Sequence, residues 1–240
     1  MRIQIISDLH FELYYESYND EVIKNLKTNS ENAELLILAG DCFYLSEIVK
    51  YLKIFSDMWE NVIYVSGNHE LYGFDFESLD RIKNFADLPS NCFWLENNEV
   101  TIKNNRFLGG TLWFPKSEES EKLKYFFSDY KRIYGSDERF YERNKKTSTY
   151  LNNNLTTNDI VITHHLPSGE VVSPEYENNE FNCFFVSDES ETIYNNKPKL
   201  WIHGHSHQSV DMIIDSTRFI RNPKGYLREN KKVPIKIIEI

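Results

Sequence analysis

Short, almost wholly apolar runs alternate along this chain with longer stretches whose apolar positions recur every three or four residues. Ile3–Ile6, Leu35–Ala39, Val62–Val65 and Ile160–Thr163 are such runs, and they predict strands buried on both faces. Stretches around Asp20–Lys27 and Ser46–Met58 separate the first three runs with helical spacing. Together they predict βα units around a partly parallel sheet, an α/β fold. Further strands are predicted at Val100–Lys103, Phe107–Gly109, Leu200–Ile202, Val210–Ile214, Arg218–Ile220 and Ile235–Ile238.

Two segments break this rhythm. The stretch from Trp113 to Asn154 is rich in Tyr, Phe, Lys, Arg and Glu. Its mixed charges predict a helical, cap-like surface insertion over about 115–154 rather than a polybasic tail. Ser168–Asn196 is acidic and Asn-rich with no Lys or Arg, and it predicts a long loop over one edge. With no internal repeat and no linker-like stretch, the expectation is one domain over residues 1–240 carrying that insertion.

Composition narrows the function. The chain has 240 residues, enough for one large core, with 40% hydrophobic and 27% charged residues, which predicts order. A net charge of −10 argues against broad nucleic-acid affinity, which needs a basic face. No apolar run approaches the roughly 20 residues of a membrane helix, and the amino-terminal apolar stretch is too short for a secretory signal. Cys42, Cys92 and Cys183 are far apart and form no CxxC pair, so neither a zinc knuckle nor a disulfide framework is expected. A reducing cytoplasm, no membrane and a small-molecule partner follow as expectations; oligomeric state is open.

Five short motifs stand at the ends of the apolar runs: Asp8-Leu9-His10, Gly40-Asp41, Gly67-Asn68-His69-Glu70, Thr163-His164-His165 and Gly204-His205-Ser206-His207. Taken singly they have bland readings, since Asp caps turns and Gly-Asn is a common turn dipeptide. Open α/β sheets, however, gather ligands beyond the carboxyl ends of their strands, and all five motifs fall there. Aspartate, imidazole and amide oxygen make a mixed N/O donor set without thiolate, suited to Mn, Fe, Zn, Co or Ni rather than calcium. Two such ions about 3.5–4 Å apart can hold ester oxygens and turn a bridging water into a hydroxide nucleophile in line with the leaving group.

In order and spacing these residues resemble the calcineurin-like metallophosphoesterases, whose signature is D-x-H, G-D, G-N-H-[ED], H and G-H-x-H. The match runs from Asp8 to His207, most of the chain. The resemblance implies a four-layer αββα sandwich with a dinuclear metal centre at the sheet edge. It implies that Asp8, His10 and His207 hold one metal ion, that Asn68, His164 and His205 hold the other, and that Asp41 bridges them. It makes His69 the catalytic residue that stabilises charge over the phosphate and serves the leaving oxygen. His164 rather than His165 takes the ligand position because it directly follows the strand; His165 is left to orient a neighbour or to contact substrate. The stretch Ser128–Arg132 and the tail Asn222-Pro223-Lys224-Gly225-Tyr226 resemble segments of small bacterial members.

The chain departs from the protein serine/threonine phosphatase branch. GDxxDRG and RGNHE are absent, for Gly40-Asp41 continues as Cys42-Phe43-Tyr44 and Ser66 precedes Gly67. The aspartate that would orient His69 is therefore missing, and Glu70 or a backbone carbonyl is the expected substitute. The function implied is metal-dependent hydrolysis of phosphate mono- or diesters, nucleotides included, by metal-bound hydroxide. A non-catalytic scaffold of the same fold and a nuclease are the competing readings.

Overall fold

In a computed structural model of the chain, which describes residues 1–229 and 232–240, the apolar runs become two sheets. The first contains β1 (Arg2–Ile6), β2 (Leu35–Ala39), β3 (Asn61–Val65) and β4 (Cys92–Trp94). The second is built from β5 (Asn98–Ile102), β6 (Asn105–Gly110), β7 (Ile160–Thr163), β8 (Leu200–His203), β9 (Val210–Ile214) and β10 (Thr217–Arg221). The last strand, β11 (Ile237–Glu239), returns to the first sheet. The strand orders are β11-β1-β2-β3-β4 and β5-β6-β7-β8-β10-β9. Within them β1 to β4 are parallel, as are β6, β7, β8 and β10, while β11, β5 and β9 close edges in antiparallel fashion.

The layers follow from alternation along each strand. Leu35, Ile37 and Ala39 of β2 face the other sheet and join Ile63, Ile160, Ile162 and Ile202 in one core. Leu36 and Leu38 face the opposite way, onto α1 (Glu16–Thr28) and α2 (Ile48–Met58). Helix α1 presents Val22, Ile23 and Leu26, and α2 presents Ile48, Tyr51, Leu52 and Phe55, the i, i+3, i+4, i+7 stripe of a helix lying on a sheet. On the far face Leu108, Val161 and Trp201 pack against Leu151, Leu155 and Ile193. Each of these fully buried aliphatic side chains contributes roughly 1.5–3 kcal/mol. The order helix, sheet, sheet, helix is the four-layer sandwich expected.

Two elements outside the irregular segments were not foreseen. Helix α3 (Phe76–Phe85) buries only Phe76 and Leu79 and starts at Asp75, whose carboxylate accepts from Ser78 N at 2.8 Å; so thin an apolar face leaves little periodicity to read. Strand β4 has three residues. The 115–154 segment folds as α4 (Glu118–Leu123), α5 (Asp129–Arg132) and α6 (Asp137–Asn154). The 168–196 segment is more structured than a plain loop. It holds three 3-10 turns and α7 (Ser190–Asn196), pinned by buried Val171, Phe184 and Ile193. Among the described residues no helix is long and apolar enough to cross a membrane.

Candidate metal centre and the groove above it

Every motif hangs from the carboxyl end of a strand: Asp8 and His10 after β1, Asp41 after β2, Asn68 and His69 after β3, His164 and His165 after β7, His205 and His207 after β8. Main-chain bonds tie these loops together. Asp8 N donates to Gly40 O (2.9 Å), His10 N to Asp41 O (2.9 Å) and Gly204 N to His164 O (3.0 Å). Asp8, His10, Asp41 and His205 all have positive φ, at 55°, 51°, 54° and 71°. Such conformations cost about 1–3 kcal/mol each outside glycine and persist where the surroundings over-determine them. At Gly67 the requirement is steric. A Cβ there would overlap the Asp41 carboxylate and come within 2.8 Å of His164 Nε2.

The side chains converge in three sets whose donor atoms lie within 4.8 Å of one another: Asp8–His10–His207, Asp41–His164–His205 and His10–Glu12–His69. In the first, His10 Nε2 and His207 Nε2 are 3.1 Å apart, and Asp8 Oδ1 is 3.7 Å from His207 Nε2. In the second, His164 Nε2 lies 3.3 Å from Asp41 Oδ1 and 3.1 Å from Asn68 Oδ1. His205 Nε2 is buried without a hydrogen-bond partner. An orphaned buried ring nitrogen is costly unless something else satisfies it, and facing lone pairs from N and O donors are what a divalent cation satisfies. The residues present therefore fit metal ions. Cys42 stays out, its thiol donating to Gly40 O at 3.3 Å.

The far side of each ring is already held. His164 Nδ1 donates to Ala39 O (2.9 Å), while His207 Nδ1 meets Glu229 Oε1 at 2.7 Å and His10 Nδ1 meets Glu12 Oε1 at 3.0 Å. An oxygen acceptor on Nδ1 fixes the tautomer and turns the Nε2 lone pair into the cluster, as metal-binding histidines need. Asn68 is aimed likewise: its Nδ2 donates to Asp129 Oδ1 (2.9 Å) and to Tyr72 OH (3.3 Å), leaving its Oδ1 on His164. Burial raises the Asp129 carboxyl to about 6, against the lowering pull of the hydrogen bonds from Tyr72 and Asn68.

Glu70 does not orient His69. Its fully buried carboxylate accepts from Asp41 N (3.1 Å), Cys42 N (2.7 Å), Phe43 N (3.2 Å) and Gly67 N (2.8 Å), clamping the β2 and β3 loops together. The orienting carboxylate is Glu12, whose Oε1 meets His69 Nδ1 at 2.9 Å. Across the ring, Tyr226 OH lies 3.3 Å and Asp41 Oδ2 4.0 Å from His69 Nε2. Burial opposes protonation of His69, but the Asp41 charge and the Glu12 hydrogen bond outweigh it and lift the ring to about 9. His164 is raised to about 9 by the same contest between burial and Asp41. For Asp41, burial opposes ionisation, yet the charges of His164 and His69 hold the carboxyl well below its usual range.

His165 is fully buried. Its Nδ1 donates to Thr111 O at 3.3 Å, its ring packs 4.3 Å from His205, and burial followed by the charge of His164 lowers it to about 3. It lies outside the lining of the groove, so the substrate contact entertained for it is not what the structure shows; it buttresses His205. Sequence reasoning missed Glu12, Tyr72, Asp129, Tyr226 and Glu229. Glu12 stood two residues beyond His10, and Asp129 and Tyr226 stood in the two stretches that resemble segments of small bacterial members, but no role had been read for any of them.

Above the cluster opens a cavity of about 810 Å³. Asp41, Asn68, His69, His205 and His207 form part of its lining. Phe126 to Asp129 of the insertion, residues of the 172–185 stretch, Tyr226 and Glu229 line most of the rest, with Tyr72, Leu166, Ser206 and Gln208. The fully buried Arg221 holds part of that wall, donating to Val171 O (3.3 Å) and Ser173 Oγ (3.2 Å).

A two-sheet sandwich with histidines, aspartates and an asparagine gathered at its strand ends is the architecture of a phosphoesterase. The chain belongs to the calcineurin-like phosphoesterase family, whose model matches residues 1–209. It is also similar to an uncharacterized protein of Acanthamoeba polyphaga mimivirus, 27% identical over a 275-residue alignment that spans 100% of this chain and 97% of that one. Among solved structures it resembles the phosphopantetheinyl hydrolase of Mycobacterium tuberculosis, with a TM-score of 0.76, 18% identity and coverage of 98% and 95%. It also resembles a dimetal phosphatase from Danio rerio, with a TM-score of 0.53, 14% identity and coverage of 92% and 86%. The chain is thus a phosphoesterase by family, and phosphate-ester hydrolysis is its class of reaction.

Proposed function

We propose that this chain hydrolyses phosphate mono- or diesters at a dinuclear centre of divalent ions, manganese or a similar metal. Asp8, His10 and His207 would hold one ion, Asn68, His164 and His205 the other, and Asp41 both. Bound there, the ions would polarise phosphoryl oxygens and lower the pKa of water. The protein's own part is positioning. Glu12, Ala39 O and Glu229 fix three ring tautomers, and Asp129 turns the Asn68 amide. His69, held by Glu12 on Nδ1, keeps a proton at Nε2 beside the groove and gives it to the departing oxygen.

The observation that carries this is the pair of compact donor sets, Asp8–His10–His207 and Asp41–His164–His205, with Nε2 lone pairs directed inward. The three free cysteines fit a reducing, cytoplasmic setting. A non-catalytic scaffold is disfavoured because every ligand position of the motif set is filled. Asp41→Asn and His205→Ala test the reading. Each should lower turnover of a generic aryl phosphate ester by roughly 10³-fold or more, the scale of a lost transition-state electrostatic contact, and reduce the metal bound per chain. Full turnover in either variant would remove the proposal; silence of the native protein on every ester with manganese present would favour the scaffold.

A further inference from the structure

The lining of the groove limits what the substrate can be. Its volume of about 810 Å³ lies in the upper range for pockets that enclose a drug-sized ligand, so it holds much more than a phosphoryl group. Its walls combine aromatic rings, neutral polar side chains and carboxylates. Phe126, Tyr176 and Phe181 supply rings, Phe126 being 71% exposed at the mouth; Glu175 adds an exposed carboxylate, while Asp129 is fully buried and accepts from Asn68 and Tyr72. Among the described lining residues there is no Lys or Arg. Two nearby cations are engaged on rings: Arg132 lies 5.0 Å from the Tyr72 centroid and Arg228 lies 4.9 Å from that of Tyr226.

A second phosphate or carboxylate on the substrate would find no Lys or Arg among those described residues to offset its desolvation. A monoester carries close to two negative charges at neutral pH, a diester one. The diester also brings a second arm, which the rings can cover.

We propose that the substrate is a phosphodiester whose arms are uncharged and present an aromatic ring or apolar chain to Phe126, Tyr176 and Phe181. This rests on the hydrolytic reading above and narrows it to one class of ester. Nucleoside polyphosphates would leave their further phosphates without a cation among the described lining residues, and simple monoesters would leave the rings uncovered.

Two measurements on the full-length, manganese-loaded protein test it. In turnover, bis(4-nitrophenyl) phosphate should exceed both 4-nitrophenyl phosphate and adenosine triphosphate in kcat/KM by roughly tenfold or more. Phe126→Ala and Phe181→Ala should each raise KM for the diester by roughly three- to tenfold, the worth of one ring contact. The monoester KM should move less than the diester KM. In binding, calorimetry without turnover should find diphenylphosphinate, a monoanion with two rings, tighter than the more highly charged phenylphosphonate. Preference for the monoester or triphosphate in turnover, or tighter binding of phenylphosphonate, overturns the inference. If no ester is cleaved but the phosphinate still binds preferentially, the class of ligand stands and the hydrolytic reading falls.

Discussion

At the scale of single residues, the most informative side chain is Glu12. One carboxylate oxygen meets the Nδ1 atoms of both His10 and His69, at 3.0 and 2.9 Å, so it connects the proposed metal ligand to the proposed proton donor. His69→Ala should lower turnover of an alkyl phosphate ester by roughly 10²–10⁴-fold, the range for a lost general acid. It should spare 4-nitrophenyl esters, whose leaving group needs no proton. Glu12→Gln should show the same leaving-group bias in weaker form, which a rate series across leaving groups of graded pKa would reveal. Equal losses with good and poor leaving groups would deny His69 the proton.

The pH profile belongs to this scale too. A ring raised from 6.5 to about 9 by Asp41 and Glu12, against burial, is protonated at neutral pH. Activity that needs the proton is therefore full below the folded pKa and falls as pH rises through it. Bound cations would pull that value down, so the alkaline limb is expected between about 6.5 and 9, and a poor-leaving-group profile for His69→Ala should lack it. Five of the seven proposed ligands were legible because D-x-H, G-D and G-H-x-H pack their donors into short spacings, and Asn68 and His164 stood in G-N-H and at the end of an apolar run. Glu12's partnership with His69 spans 57 residues, and nothing local in the sequence encodes it.

At the scale of elements, strand ends and cross-loop bonds place the donors. Gly67→Ala should be far more damaging than its size suggests, because its methyl group would displace Asp41 and His164 together. The expected result is loss of bound metal with the fold kept, seen as an unchanged circular dichroism spectrum. The insertion reaches into the centre as well. Asp129, in the four-residue α5, is fully buried and holds Asn68 and Tyr72, although the sequence read this stretch as a surface cap. Asp129→Ala leaves the Asn68 amide free to turn and should weaken one metal site by roughly 10–100-fold, the scale seen for partners of ligands, measured by competition with a chelator.

The wall facing the insertion joins it through rings, Phe127 stacking on Phe184 at 4.3 Å. Phe184→Ala should cost about 3 kcal/mol of local packing and raise amide exchange across residues 168–186. Regular strands were legible as apolar runs. Helix α3 and strand β4 were not, because two buried side chains or three residues carry too little pattern.

At the scale of the whole molecule, two sheets bring their carboxyl edges to one rim, so residues nearly 200 positions apart become neighbours: His10 and His207 are separated by 197 residues and 3.1 Å. Alternating βα units made an α/β fold legible and the family resemblance implied the four-layer sandwich, whereas the groove's lining depends on how the insertion and the 168–196 stretch fold back, which composition does not specify. In a chain of net charge −10 the proposed cations would supply local attraction for an anionic ester. The most direct test is titration of chelator-stripped protein with manganese while bound metal per chain and turnover are followed together. A dinuclear centre predicts no turnover without metal, two ions bound at saturation, and full activity reached only as the second is taken up. Full activity in the stripped protein, or saturation at one ion with complete turnover, would contradict it.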